Sequence, residues 1–503
     1  MQSRRGSLAA LGAILVALAL AAGPAHAAQV IVVDGDHAAR VDDPAAPSPS
    51  QADLGRPTHV RRHSRPPAVT ASSSSRRRVR AVLRTLRRAL RRHRISRTRY
   101  RSYRAAYGRA RRVRARLRGA RRAQLAYVIR VAERLALSHR LIPSRMPMVF
   151  LELRRNVQYW PSKPFPAPRQ FVRFRGSELL FGYFPGEGLQ LHPLGTFKRA
   201  NALHGFCVKS GGPCRPDKLR RLLDAMQHLA VRRSRHFIAW EYMFDFDGGA
   251  PPWISAMATA TGLQAYARAA QLLHRPDYIT TASRSLGAYY TRPPLGVLTR
   301  GPLGGVHYLQ YSFARHYYIF NAFLTAILGL RDYAKITGDA SVTRLYQIAL
   351  PEAQREVPYS DVGDWSLYSW RGPQSDRNYH EYLREVLSEL CVRRLGPVFC
   401  TYADRYRHYQ IDPPVLHYLG PSTLSVGRTR RLRFSLSKLS VVELRIYRDG
   451  RLGRRRLATF RLGRHSFLWR PRSAGTYTIK LAAKELRTGR GLRGRTSATV
   501  QVH

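Results

Sequence analysis

Between positions 218 and 410 the sequence returns again and again to long apolar patterns of helical period, over 218–231, 253–273, 318–337, 341–356 and 377–391. Apolar residues three and four apart place one buried stripe on each helix. Repeated helix pairs of this length fit an α/α barrel or toroid better than a parallel α/β sheet, which would interleave strands with the helices. The chain has no phosphate loop, no dinucleotide fingerprint and no HExxH motif, so neither a cofactor nor a metal is expected.

The flanking segments change period. Residues 171–174, 178–181 and 189–192 read as short strands, giving a small β-rich part near 165–200. Pro413-Pro414 marks a boundary, after which 432–436, 442–447 and 475–481 alternate polar and apolar residues. With Asp449-Gly450 as a hairpin turn, 412–503 reads as an immunoglobulin-like β-sandwich. The expected fold is therefore mainly α: a toroid over 123–411 with its β-rich part, then a sandwich.

Upstream, Arg4 and Arg5 precede an apolar run from Leu8 to Ala22, and Ala25-His26-Ala27 is a small-x-small cleavage site. Residues 1–27 thus read as a signal peptide, and the protein as secreted or associated with the cell envelope. Residues 28–75, rich in Pro, Ser, Ala, Asp and His, are expected to be a disordered linker. Residues 76–122 hold 22 arginines and no acidic residue. Val79, Val82, Leu83, Leu86 and Leu90, continued by Tyr100, Tyr103 and Tyr107, give this stretch an apolar helical stripe. It reads as a basic arm that either meets an anionic surface or folds back on the main domain.

Four cysteines form two close pairs, Cys207 with Cys214 and Cys391 with Cys400. In an oxidising compartment they read as disulfides, and of three possible pairings the proximal one is favoured. The formal net charge is +57, from 87 basic and 30 acidic residues. Such a charge selects nucleic acid, an anionic membrane surface or an acidic polymer as partner. Export argues against nucleic acid and leaves the other two.

The residues suited to chemistry lie in four motifs. They are Pro252-Trp253-Ile254-Ser255-Ala256-Met257-Ala258, then Tyr308-Leu309-Gln310-Tyr311-Ser312-Phe313 followed by Asn321-Ala322-Phe323, then GDWSLYSWRG over 363–372, then Asn378-Tyr379-His380-Glu381-Tyr382-Leu383. In these motifs, in this order, the chain resembles the C-terminal catalytic region of the D-glucuronyl C5-epimerase family, over about 170–410. The resemblance implies an α/α barrel preceded by a β-rich part. It also implies an acidic, uronate-containing polysaccharide as substrate and inversion at carbon 5 of a glucuronyl residue. It matches Tyr311, Tyr368 and Tyr379 to the family's active-site tyrosines, and Arg371 to an arginine near the substrate carboxylate. His380, Gln310, Trp365 and Asn378 are expected around the substrate, and a homodimer is an admissible state.

These residue types suit that chemistry. The proton on carbon 5 is α to a carboxylate, and its removal builds charge on the carboxylate as an enediolate. A cation and hydrogen-bond donors aimed there stabilise that charge, and two groups on opposite ring faces act as base and acid. The sequence departs from the family at Gln310, where the family has a glutamate implicated in proton transfer. Glu381 and Asp364, within the later motifs, are carboxylates placed to compensate for it. Two other readings follow from this departure: a lyase sharing the first step, and a non-catalytic acidic-glycan-binding envelope protein. Glu241, His192, the turn over 183–188 and the pair Asp245 and Asp247 are further polar candidates, each also explicable as structural.

Overall fold

The computed structural model describes residues 28–48, 75–208 and 213–503; the expected signal peptide lies outside them. The linker expectation fails at its start. Ala28–Asp34 (β1) and His37–Asp43 (β2) pair antiparallel, and β1 runs parallel to Phe171–Phe174 (β3). Phe181–Phe184 (β4) and Gly188–Leu191 (β5) complete a five-stranded sheet in the order β2-β1-β3-β4-β5. The reason is local: Val30, Ile31, Val32 and Val33 form a β-branched run suited to a strand. Val30, Ile31 and Val33 are buried. Averaged over a long Pro- and Ser-rich segment, that run lost its signal. The strand expected at 178–181 lies three residues later, at β4.

The arginine-rich stretch is not a separate arm. Ser75–Arg91 (α1) packs on Gly119–Leu137 (α3), and Arg97–Arg116 (α2) packs on Met146–Tyr159 (α4). Val82 and Leu86 are fully buried, the Tyr103 ring stacks on Phe150 at 4.4 Å, and the Tyr107 hydroxyl donates to Glu133 at 2.7 Å. The domain boundary expected at 122 is thus absent. The apolar stripe predicted from spacing is what buries α1 and α2, while the arginines take the other face.

The helical body continues with Pro193–Val208 (α5), Pro216–Leu229 (α6), Ala256–Leu272 (α7), Pro276–Ser283 (α8) and the single turn Gly287–Tyr290 (α9). Phe320–Thr337 (α10), Ala340–Glu356 (α11), Arg377–Val392 (α12) and Pro397–Ile411 (α13) follow. Consecutive helices pair as α5 with α6, α7 with α8, α10 with α11 and α12 with α13, while α5, α7, α10 and α12 pack side by side in that order. This inner row gives a helix-rich body with no closed barrel among the described elements. Val231–Arg232 (β6) with Ile238–Ala239 (β7), and Leu298–Arg300 (β8) with Val306–Tyr308 (β9), are short hairpins between helices. Both expected disulfides are present, Cys207–Cys214 and Cys391–Cys400.

The C-terminal segment forms two facing sheets. One holds Leu416–Tyr418 (β10), Arg430–Leu436 (β12) and Gly463–Trp469 (β15). The other orders Thr423–Leu424 (β11), Arg493–Val502 (β17), Gly475–Glu485 (β16), Ser440–Arg448 (β13) and Arg451–Phe460 (β14). Phe434 and Trp469 from one and Leu444, Ile479 and Val500 from the other share a core. Asp449 and Gly450 both have positive φ, as a tight hairpin turn between β13 and β14 requires. No helix among the described residues is long and apolar enough to cross a membrane.

Candidate functional site

The site is built at the N-terminal ends of the inner helices. Ser255 caps α7: its Oγ accepts from the Ala258 N–H at 3.0 Å and donates to the Gln310 carboxamide oxygen at 2.9 Å. That bond ties the segment following β9 to the start of α7. Gln310 and Tyr311 are each 1 % exposed. The Tyr311 ring lies 5.4 Å from Trp253 and 5.3 Å from Phe246, so the motif around Trp253 forms the wall behind it.

The second component is the loop between α11 and α12. It pairs with the segment before α10 through a bridge between Ile319 and Ser369, and the Phe320 N–H donates to the Tyr368 carbonyl at 3.4 Å. The turn after Tyr368 is sharp: Arg371 has φ of 52°, and a Cβ on Gly372 would fall 2.1 Å from Ser369 Oγ. Asp376 then caps α12 by accepting from the Tyr379 N–H at 3.0 Å.

These elements bring the three expected tyrosines together. Tyr311 is 6.2 Å from Tyr317, Tyr317 is 6.3 Å from Tyr368, and Tyr368 is 5.0 Å from Tyr379, ring centre to ring centre. Tyr317, the link in this chain, was not singled out by sequence reasoning. The other expected residues are placed differently. Arg371 is exposed at the tip of its turn and makes no ion pair among the described residues, and Asn378 is exposed in the first turn of α12.

Trp365 and His380 are buried supports rather than an accessible wall. Their rings stack at 3.7 Å, and the Trp365 indole N–H donates to the Ser375 carbonyl. His380 Nε2 lies 3.2 Å from the Tyr406 carbonyl, which only accepts, so Nε2 carries the hydrogen and Nδ1 accepts from Ser366 Oγ at 2.8 Å. Burial pushes the His380 imidazole down to about 3, with the surrounding cations adding to the effect, so it is neutral.

The other acidic candidates are engaged elsewhere. Glu241 is fully buried between Arg145, at 2.6 and 2.8 Å, and Arg233, at 2.7 Å; burial raises its pKa, but the two guanidiniums outweigh it and hold the carboxyl low. Asp364 pairs with Arg487 of the C-terminal sandwich. Glu381 accepts from Arg384 and Gln410. Asp245 accepts from Tyr127 at 2.7 Å and pairs with Arg134 at 3.0 Å; among the described residues no group of His, Cys, Asp and Glu is arranged to hold a metal. His192 is buried and its Nδ1 accepts from the Gly195 N–H at the start of α5. In the turn over 183–188, burial first and the Asp245 charge second push Glu187 up to about 8.

One group stands beside the tyrosines that the sequence reading did not assign. Lys198 on α5 reaches Tyr382 on α12, one turn beyond Tyr379, and Tyr382 in turn meets Thr325 on α10. The second turns of three neighbouring helices therefore face one another. The available signal was compositional: Lys198 is one of only eight lysines in a chain whose cations are otherwise arginine.

With this geometry in place, comparison with known proteins adds the following. Residues 233–408 match the family described as the D-glucuronyl C5-epimerase C-terminus. An uncharacterized protein of Methanocaldococcus jannaschii is 24% identical over 269 residues, 50% of this chain and 87% of that protein. Among solved structures, the CARDB domain of a Pyrococcus furiosus protein is 15% identical, covering 18% of this chain and 90% of that one at a TM-score of 0.14. An endo-β-1,4-glucanase of Acetobacter xylinum is also 15% identical, covering 40% of this chain and 67% of that one at a TM-score of 0.27.

Proposed function

Residues 233–408 carry the C-terminal domain of the D-glucuronyl C5-epimerase family, and from that premise we propose that the protein inverts carbon 5 of D-glucuronyl residues in an extracellular acidic polysaccharide. The observation that carries this reading is the continuous contact from Tyr311 through Tyr317 and Tyr368 to Tyr379. One tyrosine takes the carbon-5 proton, the carboxylate holds the resulting charge, and a tyrosine on the opposite ring face returns a proton. The inner helices also present their N-terminal ends to this region, which favours an anionic substrate.

The α/α-toroid reading of the helical body belongs to the same proposal, supported by the side-by-side row of α5, α7, α10 and α12. So does the immunoglobulin-like reading of the terminal sandwich. Secretion accords with the two disulfides. Exposed arginines on α1 and α2, such as Arg84, Arg87, Arg101 and Arg104, suit an acidic polymer or an anionic envelope surface.

The test is incorporation of deuterium at carbon 5 when glucuronyl polysaccharides are incubated in deuterated water. Wild type exchanges, while Tyr368→Phe and Tyr379→Phe lose exchange and keep their thermal transitions. Undiminished exchange in both variants would end the assignment. Gln310 favours a second reading, a glycan-binding protein without catalysis, because a carboxamide cannot accept the proton. That reading requires uronate binding by wild type with no exchange on long incubation. An unsaturated product absorbing in the ultraviolet would instead identify the lyase.

A further inference from the structure

Arg371 is the cation the motif comparison assigns to the substrate carboxylate, yet it is exposed at the tip of its turn. A half-buried cation lies elsewhere. Lys198 Nζ donates to the Tyr382 hydroxyl at 2.8 Å and sits 4.2 Å from the centre of that ring. Thr325 Oγ1 donates to the Asn321 carbonyl at 2.7 Å and lies 2.9 Å from the Tyr382 hydroxyl. With its one hydrogen so committed, Thr325 accepts from Tyr382. The hydrogen bonds therefore run in one direction, from Lys198 through Tyr382 and Thr325 to the start of α10.

A second observation concerns Asn321. It is 2 % exposed, and neither its carboxamide nitrogen nor its oxygen has a partner among the described residues. A buried polar group without a partner is destabilising, and a ligand that pairs with it removes that cost. Asn321 and Thr325, four residues apart, share one face of α10. Asn321 also follows Phe320, whose N–H meets the Tyr368 carbonyl. A cation in the second turn of α5 and an unsatisfied amide in the first turn of α10 thus lie on helices that meet at Tyr382, one turn beyond Tyr379 on α12.

We propose that Lys198, Tyr382, Thr325 and Asn321 form the pocket that holds the uronate carboxylate, with Lys198 supplying the cation. The inference rests on the uronate reading above and names the residues that serve it. When the carbon-5 proton leaves, the electrons of the C–H bond pass into the C5–C6 bond and onto the carboxylate oxygens. The Lys198 ammonium and the Asn321 amide hydrogens stabilise that added charge until a proton returns to carbon 5 from the opposite face. The hydrogen bond to Tyr382 fixes the lysine's position.

The test is calorimetric binding to the full chain of a glucuronyl octasaccharide and of the same octasaccharide with its carboxylates reduced to alcohols. Lys198→Met should weaken binding of the charged ligand by about tenfold or more and leave the reduced one unchanged, while Lys198→Arg retains most of the difference. Asn321→Asp, nearly isosteric and tolerated in a first helical turn, should lose the charged ligand by repulsion while its thermal transition persists. If wild type prefers the charged ligand and both Lys198→Met and Asn321→Asp bind it unchanged, the pocket assignment is overturned and the uronate reading stands. If wild type does not distinguish the two ligands, the uronate reading falls and the pocket with it.

Discussion

Asp364, in the loop that carries Tyr368, forms a 2.8 Å ion pair with Arg487 of the C-terminal sandwich, the two side chains being 3% and 13% exposed. Asp364 also accepts from the Leu439 N–H at 3.0 Å, and the Arg487 guanidinium lies 5.6 Å from the Trp365 ring. The sandwich therefore grips the loop from behind, and the stack of Trp365 on His380 passes that hold to the first turn of α12. Removing one member of a buried pair strands the other charge at a cost of about 3–5 kcal/mol. Arg487→Met is expected to destabilise the protein on that scale in chemical denaturation, and to lower carbon-5 exchange more than uronate binding. Wild-type stability in this variant would show the sandwich to be an independent appendage.

Leu86 tests whether the arginine-rich helices are part of the body. It is fully buried, whereas Arg87 and Arg88 are exposed on the same helix. Leu86→Ala should cost about 2–5 kcal/mol, and Arg87→Ala or Arg88→Ala less than about 0.5 kcal/mol. A free arm would make all three neutral.

The buried imidazoles set an acid limit. Burial depresses both His192 and His380 to about 3, against about 6.5 in the unfolded chain. As pH falls below the unfolded value, the unfolded chain takes up protons that the folded protein refuses. Stability is then lost at up to about 1.4 kcal/mol per pH unit for each residue until the folded value is reached. Glu152, pushed up to about 8 by burial, acts in the opposite sense: its contribution is lost as pH rises from its ordinary value toward 8. The difference between wild type and His380→Gln isolates one group. From about pH 6.5 to pH 5 the variant should lose about 2 kcal/mol less than wild type, and parallel acid limbs would refute the neutral His380.

The disulfides close short loops, with sequence separations of 7 and 9. Cys391–Cys400 joins the end of α12 to α13. Replacing both of its cysteines by serine should lower stability by about 2–3 kcal/mol. Tyr368 and Tyr379 lie toward the other end of α12, so exchange per folded molecule should persist.

Much of this was legible in the sequence because it is local. Helical period marked α6, α7, α10, α11 and α12 to within a few residues, alternation marked β12, β13 and β16, and Asp449-Gly450 marked its hairpin. Motif order indicated Tyr311, Tyr368 and Tyr379. The hairpin β1–β2 was missed because a short β-branched run was averaged into its Pro- and Ser-rich surroundings. Its partner strand, β3, lies far along the chain, and no local pattern records such pairing.

The sequence by itself determined which faces are apolar, roughly where α6, α7, α10, α11 and α12 lie and which tyrosines belong to the motifs. Only the tertiary structure decided what each polar residue is used for. Asp364, Glu241 and His380 were candidates by type, but packing commits them to Arg487, to Arg145 with Arg233, and to Ser366 with Tyr406. Lys198 had no motif, yet the packing of α5, α10 and α12 sets it against Tyr382 beside the tyrosines. The physical reason is that propensity and period act over a few residues. The charge, burial and hydrogen bonding of a site depend on side chains that meet only when distant helices pack.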